Sequence, residues 1–142
     1  MSEQDWIELG KRAVACEGWR WMPGMLALNG WRVVDPGRLL TAQKQSAPPP
    51  AWQNGTSIEW LCGPLALPDL TDPATLGCLL ALVREAWAQA RVVVYHQHGQ
   101  PAWEVEVELP DGSMPCVESA ATEGEVLVAA LEAAERREVS DE

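Results

Sequence analysis

The sequence predicts an α+β fold in which three helices pack on a mostly antiparallel sheet of five to six strands. Helical hydrophobic periodicity appears near both ends and in the middle of the chain, short alternating or β-branched segments lie between, and turn signals separate those segments. The chain has 142 residues, enough for one domain with a core, and it shows no internal repeat. We therefore expect residues 1–142 to form a single domain.

The first predicted helix begins at Ser2, which forms an imperfect capping box with Asp5. We expect this helix to end near residues 16–18. The next segment, Trp19–Met22, is predicted to be extended. Alternation along an extended chain then places the two tryptophans on one face and Arg20 on the other.

A hairpin is predicted next, because Asn29-Gly30 stands between the apolar runs 25–28 and 31–34. This dipeptide favours a type I′ turn. A polar, proline-rich stretch follows, and we expect a long flexible loop at about 41–56. Residues 57–61 can form another strand.

The most apolar helix is predicted after Asp72, where Thr71 or Asp72 can cap the first turn and Pro73 suits the first helical position. One helical face would carry Leu76, Leu79, Leu80, Val83 and Trp87. A second stripe beside it contains Thr75, Cys78 and Leu82. The side chains expected to be clearly solvated are Arg84, Glu85 and Gln89. We expect the rest of the chain to pack around this helix.

Three strands are predicted after the central helix, at 91–95, 102–109 and 114–118. The second alternates throughout, which is typical of an antiparallel strand with one solvated face. Its inward side chains would be Trp103, Val105, Val107 and Leu109. Its outward side chains would be Glu104, Glu106 and Glu108.

The last helix is predicted from Glu123 to about Arg136, begun by a capping box of Thr122 and Glu125. Its apolar stripe would be Val126, Leu127, Ala130, Leu131 and Ala134. A short acidic tail at about 138–142 would follow.

Composition narrows the classes of partner. The formal net charge of −11 disfavours nonspecific binding to nucleic acid or to an anionic membrane. No apolar run has the length of a membrane span, and the first residues lack the features of a signal peptide, so we expect a cytoplasmic protein. The expected free thiols are Cys16, Cys62, Cys78 and Cys116, whose wide spacing does not suit a zinc site.

Signals for catalysis are weak. The sequence has no phosphate-binding loop, dinucleotide fingerprint, nucleophile elbow or zinc-protease motif. His96 and His98 could serve as metal ligands or an acid–base pair, but a turn with two surface histidines explains them as well. The row Glu104, Glu106 and Glu108 could supply paired carboxylates, and a solvated sheet face is the alternative. We predict no catalytic residue, no metal and no cofactor.

Signals for ligand binding are better. Recognition of a nucleobase uses an aromatic or arginine plane for stacking and a cation for phosphate, and Trp19-Arg20-Trp21 supplies both. Arg32, Arg84 and Arg91 are additional cations near the ends of predicted elements. Core packing is the alternative role for the tryptophans, because the chain has eight of them and no phenylalanine.

Three stretches together resemble a known family: residues 13–16 with 18–25 (AVAC, GWRWMPGM), residues 67–87 (LPDLTDPATLGCLL through REAW) and residues 125–131 (EVLVAAL). They are similar to small phage proteins of the ABA-sandwich type, and among these to the Thoeris anti-defence sponges. The resemblance implies a non-enzymatic protein that holds cyclic ADP-ribose isomers without degrading them. Some members also bind cyclic oligonucleotides, and the family forms dimers or hexamers with ligand sites at subunit interfaces.

Three functional hypotheses follow. The leading one is a phage sponge that sequesters a cyclic nucleotide immune signal in the infected bacterial host. The alternative is an acidic inhibitor that binds a host defence nuclease or CRISPR complex by nucleic-acid mimicry, through the row of glutamates on the alternating strand and the acidic last helix. The third is an enzyme that cleaves the signal. The candidate ligand-binding residues are Trp19, Arg20, Trp21, Met25, Arg84 and Arg91.

Overall fold

A computed structural model describes residues 1–28, 30–34, 41–44, 67–100 and 102–140, and their side chains except at 41–44 and 138–140. In chain order the elements are α1 (Glu3–Ala15), β1 (Trp31–Val34), β2 (Thr41–Lys44), α2 (Pro73–Ala86), β3 (Arg91–His96), β4 (Trp103–Glu108), β5 (Cys116–Ala120) and α3 (Glu123–Ser140). The chain is α+β, as predicted. Within the described ranges the strands form one two-stranded and one three-stranded antiparallel sheet, so a single sheet of five to six strands stays a prediction.

The chain divides into two compact units, described separately here. The first contains Met1–Lys11 and Arg20–Cys78, and the second contains Arg12–Trp19 and Leu79–Glu142. The expectation of a single domain stays a prediction.

The start of α1 is the predicted capping box. The backbone N–H of Asp5 donates to Ser2 Oγ over 3.2 Å, and the Ser2 nitrogen donates to Asp5 Oδ2 over 2.9 Å. These bonds satisfy donors that the first turn of a helix leaves without intrahelical partners. The helix ends at Ala15, next to the range expected from the sequence.

The predicted hairpin is present in the first unit. Ala27 N–H donates to Trp31 O over 2.8 Å and Val33 N–H donates to Met25 O over 2.7 Å. Gly30 has a φ of +91°, a conformation that glycine adopts without strain. Asn29 and the predicted strand at 57–61 lie outside the described residues.

β2 is a correction to the sequence analysis. Residues 41–44 pair antiparallel with β1, with Trp31 opposite Lys44 and Val34 opposite Thr41, although the sequence predicted a flexible loop from about 41. A stretch of only four residues without apolar alternation gives no strand signal in the sequence. Its pairing with β1 identifies it as a strand. The remainder of that predicted loop, 45–56, is outside the described part of the chain.

The N-terminus of α2 matches the prediction. Asp72 Oδ2 accepts hydrogen bonds from the Thr75 N–H and Thr75 Oγ1, both at 3.0 Å, and Pro73 is the first helical residue. Asp72 also forms a two-pronged ion pair with Arg32, whose two terminal nitrogens each lie 3.2 Å from a carboxylate oxygen. Arg32 also donates to Gly24 O over 2.6 Å. This cation therefore has a structural role that its sequence position did not predict.

The second unit contains the three-stranded sheet in the order β3–β4–β5, with α3 packed on β4 and β5. Val105 and Val107 are fully buried, as the alternation predicted, whereas Trp103 and Leu109, also expected to point inward, are half-buried. The predicted apolar stripe of α3 is buried throughout. Thr122 Oγ1 accepts from the Glu125 N–H over 3.2 Å and lies 2.9 Å from the Glu125 carboxylate, which confirms the cap, and the helix continues to Ser140 instead of ending near Arg136.

The segment Arg12–Trp19 is attached to α3 by polar contacts. Arg12 forms an ion pair with Glu132 at 2.6 Å, and the Glu17 N–H donates to the Glu135 carboxylate. A Cβ at Gly18 would lie 3.0 Å from the Leu131 Cδ1 atom, so a larger residue there would require the Leu131 side chain to shift.

Burial along α2 confirms part of the predicted stripe. Leu79, Leu82, Val83 and Trp87 are buried, and Leu76 and Leu80 are half-buried. The exposed face is wider than predicted, because it also includes the small side chains at Ala74, Gly77 and Ala81. Small apolar residues extend hydrophobic periodicity without requiring burial.

Among the helices of the described ranges, none has both the length and the apolar character needed to cross a membrane.

Candidate functional site

The Trp-Arg-Trp segment and the neighbouring Met25 differ in burial from residue to residue. Met25 is fully buried and Trp21 is 8% exposed, whereas Arg20 is exposed. Trp19 is half-buried and its Nε1 atom is buried. Exposure alternates as predicted, but the tryptophan face is directed to packing. Ligand contact by Trp19, Arg20, Trp21 and Met25 stays a prediction.

The two other predicted cations lie in the second unit. Arg84 is exposed in the last turn of α2, and Arg91 is exposed at the first position of β3, directly opposite Glu108 on β4. Their contribution to a ligand site also stays a prediction.

The outer face of β4 carries the row of glutamates. Glu104, Glu106 and Glu108 are half-buried, and the first two have ordered partners. Tyr95 Oη donates to Glu106 over 3.0 Å, and Gln97 donates to Glu104. Burial and these carboxylates raise the pKa of Tyr95 to about 12. The row is a half-buried sheet face with local hydrogen bonds, and the choice between paired carboxylates and a solvated face stays open.

The histidines do not form a metal site with their described neighbours. His96 ends β3 and contacts the ring edge of Trp103, with centroids 5.2 Å apart, and His98 is exposed in the following turn. Across the described ranges, no three His, Cys, Asp or Glu side chains are grouped closely enough to hold a metal ion.

A cavity of about 680 Å³ lies within the second unit, in the size range of small-molecule sites. It is formed by the C-terminal half of α3, the segment 109–118 that leads into β5, and the residue after α2. The chemically distinctive side chains that line it are Trp87, Asp111, Ser113, Cys116, Arg136 and Arg137.

Trp87 and Arg137 form the aromatic and cationic part of this cavity. The Trp87 indole is buried and fixed by a hydrogen bond of 2.9 Å from its Nε1 to the Ala130 carbonyl of α3. The Arg137 guanidinium carbon lies 5.5 Å from the centroid of the Trp87 ring, a cation–π geometry. Arg136, the preceding residue, adds a second guanidinium to the lining.

Asp111 lies in a hydrogen-bonded turn of the segment 109–118, which forms the part of the lining outside α3. Its Oδ1 accepts from Ser113 Oγ over 2.6 Å and from the Ser113 N–H over 2.9 Å. These hydrogen bonds from Ser113 lower the pKa of Asp111, and Arg137 contributes a smaller attraction. The side chain is therefore a carboxylate at neutral pH.

Cys116 contributes an unreactive thiol to the lining. It is buried at the start of β5, and burial raises its pKa to about 11, so little thiolate is present at neutral pH. Cys16 is also a buried free thiol and Cys78 is half-buried, while Cys62 lies outside the described residues.

This arrangement can bind a planar, anionic small molecule. An indole face is a stacking surface, and guanidinium groups form paired, charge-assisted hydrogen bonds with phosphate. The sequence did not predict the cavity, because Trp87 fits the core stripe of α2 and Arg136 fits the end of the last helix. A signal was present in the arginine pair that follows the apolar stripe of α3, but its pairing with Trp87 is not visible in sequence.

Comparison of the chain with protein-family models, curated proteins and solved structures finds no match.

Proposed function

We propose that this protein is a phage anti-defence sponge that binds a cyclic nucleotide immune signal and sequesters it without cleaving it. The signal is a cyclic ADP-ribose isomer or a cyclic oligonucleotide, and the site of action is the cytoplasm of the infected bacterial host. The observation that carries the proposal is the cavity lined by Trp87, Arg136 and Arg137. The sequence resemblance is the independent reason for choosing this class of ligand.

The cavity supplies the three kinds of contact that a nucleotide requires. Arg136 and Arg137 offer charge-assisted hydrogen bonds to phosphate. When a phosphate binds Arg137, the guanidinium moves away from the Trp87 ring. The base then stacks on the ring face that the guanidinium covered. The local cations act against the net charge of −11, which otherwise repels an anion.

A sponge acts by mass action. Its concentration must exceed that of the signal, and its Kd must lie well below the level that activates the immune effector. A nanomolar Kd corresponds to about −12 kcal/mol. One stacked base and two arginine–phosphate contacts can supply much of this free energy. A homo-oligomer, a dimer or a hexamer with ligand at subunit interfaces, remains part of the proposal on the strength of the resemblance.

Isothermal titration of the full-length protein against cyclic ADP-ribose isomers and cyclic di- and trinucleotides tests the proposal. We expect saturable heat with at least one of them. The ligand should be recovered intact when the complex is denatured, because a sponge does not cleave it. Absence of heat with every compound would overturn the proposal, and recovery of a cleaved product would replace the sponge with an enzyme.

A second candidate is an acidic inhibitor of a host defence nuclease or CRISPR complex. The observation that favours it is the regular row of glutamates on β4, where alternate side chains recur about every 6.8 Å along one face. Binding of a purified nuclease that is lost in Glu106→Lys, with the nucleotide affinity unchanged, would support this candidate. Retained binding in that variant would exclude the row as the contact surface.

A further inference from the structure

The lining of the cavity is divided by charge. Its cations, Arg136 and Arg137, come from α3, and its carboxylates, Asp111 and Glu118, come from the segment that leads into and forms β5. A ligand with anionic groups on all sides would meet repulsion at Asp111 and Glu118. The arrangement instead suits a molecule whose phosphate is directed to α3 and whose opposite side carries hydrogen-bond donors.

Asp111 lies in a hydrogen-bonded turn. The turn that holds it is closed by hydrogen bonds from Leu109 N–H to Ser113 O and from Gly112 N–H to Leu109 O, both 2.9 Å. Gly112 has a φ of +87°, which the turn requires. Both described side-chain bonds of Asp111 converge on Oδ1 from Ser113, and an ionised carboxylate has further acceptor capacity.

Ribose hydroxyls are donors that such a carboxylate recognises well. An acidic side chain that accepts a hydrogen bond from the 2′-hydroxyl is a recurrent solution for holding ribose. A ribonucleotide also carries its phosphate on the same sugar, so one ligand can satisfy both parts of the lining. A 2′-deoxyribonucleotide retains the phosphate and the base but lacks this donor.

We propose that Asp111 is the sugar-recognising residue of the cavity and that it makes the site select ribonucleotides over their 2′-deoxy counterparts. This inference rests on the proposed function, because it assumes a nucleotide in the cavity. It adds a specificity that neither the sequence pattern nor the arginine–tryptophan pair supplies.

The test compares the full-length protein with its Asp111→Asn and Glu118→Gln variants. The probes are ADP-ribose with its 2′-deoxyadenosine analogue, and 3′,3′-cyclic di-AMP with its bis-2′-deoxy analogue. In the unmodified protein we expect a deoxy probe to bind at least about tenfold more weakly than the matching ribo probe, the effect of losing one hydrogen bond to a charged group.

Asp111→Asn retains a side-chain oxygen for the Ser113 bonds but removes the negative charge. We expect this variant to bind the ribo probe more weakly and the deoxy probe equally or more tightly, because repulsion of the phosphate is reduced. The preference for ribose should fall below about threefold. Loss of the turn alone would weaken both probes together, so that result would overturn the inference.

Glu118→Gln is the matched control, since it removes the same charge from the same cavity. It should keep the preference for ribose. Equal binding of ribo and deoxy probes by the unmodified protein, or loss of the preference in Glu118→Gln instead of Asp111→Asn, would overturn the inference and leave the proposed function standing. Failure of all four probes to bind would overturn the inference, whereas the proposed function falls only if every cyclic nucleotide of the titration panel also fails to bind.

Discussion

Two places in this molecule combine tryptophan with arginine, and they differ in how the combination arises. In residues 19–21 the side chains are adjacent in sequence, and the neighbouring Trp21 is buried while Arg20 is exposed. In the cavity, Trp87 and Arg137 are far apart in sequence but 5.5 Å apart in space. Adjacent residues of an extended chain point to opposite sides, whereas packing of α3 brings distant residues to one surface. Only tertiary packing brings this second tryptophan and arginine together, and adjacency in sequence does not show it.

The largest effect should come from truncating Met25, the buried residue that follows residues 19–21 and was predicted with them to bind ligand. Met25→Ala removes a fully buried side chain and should lower the free energy of unfolding by about 2–5 kcal/mol. Leu28→Ala is the matched control, because Leu28 lies in the same hairpin and is 42% exposed. It should cost less than about 1 kcal/mol. Urea unfolding measures both changes in stability. A Met25→Ala variant with unchanged stability and impaired ligand binding would support the predicted ligand role of this residue.

The next effect concerns binding in the cavity. Arg137→Gln removes the cation over Trp87 and should weaken binding of the nucleotide by about 10- to 100-fold, the value of a charge-assisted hydrogen bond. Arg84→Gln makes the same change at an exposed site of the same unit, and we expect less than about a twofold change. Titration calorimetry with whichever panel compound binds gives both values. If Arg84→Gln weakens binding more than Arg137→Gln does, the result would favour the ligand-binding residues predicted from the sequence, which include Arg84.

A smaller effect is expected at Asp72, where a local cap and a long-range ion pair share one carboxylate. Burial raises the pKa of Asp72, but hydrogen bonds from Arg32 and Thr75 outweigh it and hold the pKa below its usual value. Asp72→Asn keeps an acceptable cap and loses the ion pair, so it should reduce stability by about 1 kcal/mol at pH 7.

The pH dependence gives the sign of that contribution. A carboxylate whose folded pKa is depressed stabilises the protein above its unfolded pKa of about 3.9, and the stabilisation is lost as pH falls through the folded value. The stability difference between the unmodified protein and Asp72→Asn should therefore vanish in acid. Asp69→Asn is the control, because the described side-chain hydrogen bonds of Asp69 are with its near neighbour Thr71, and it should reduce stability less than Asp72→Asn at pH 7. A difference that persists below about pH 2 would contradict the ion-pair assignment.

The smallest effect is spectroscopic and concerns the outer face of β4. Tyr95 is the single tyrosine, so tyrosinate absorbance reports on it alone. With its pKa raised to about 12, it should remain mostly protonated at about pH 10.5, where an ordinary tyrosine is mostly ionised. Glu106→Gln should lower the pKa, and Glu108→Gln, at the position opposite Arg91, should not. An ordinary pKa in the unmodified protein would argue against the Tyr95–Glu106 bond.

The elements that could be predicted are those encoded over a few residues. The capping residues Ser2, Asp72 and Thr122 each satisfy donors within their own first turn. The alternation in β4 and the stripe of α3 repeat with the period of their own element. These signals depend on neighbours in sequence, so the helices and four of the five described strand segments were placed without tertiary information.

The sequence alone also determined the acidic surface, the free thiols and the absence of recognisable catalytic motifs. Tertiary structure decided the pairing of β2, the ion pair between Arg32 and Asp72, and the cavity at Trp87 and Arg137. The ion pair and the cavity depend on contacts between residues distant in the chain, and β2 depends on its pairing with the nearby β1. No local period or spacing encodes these contacts. The stretch from Pro73 to Trp87 shows both cases. Its helix and its buried stripe follow from its own sequence. The position of Trp87 in the cavity lining follows only from packing against α3.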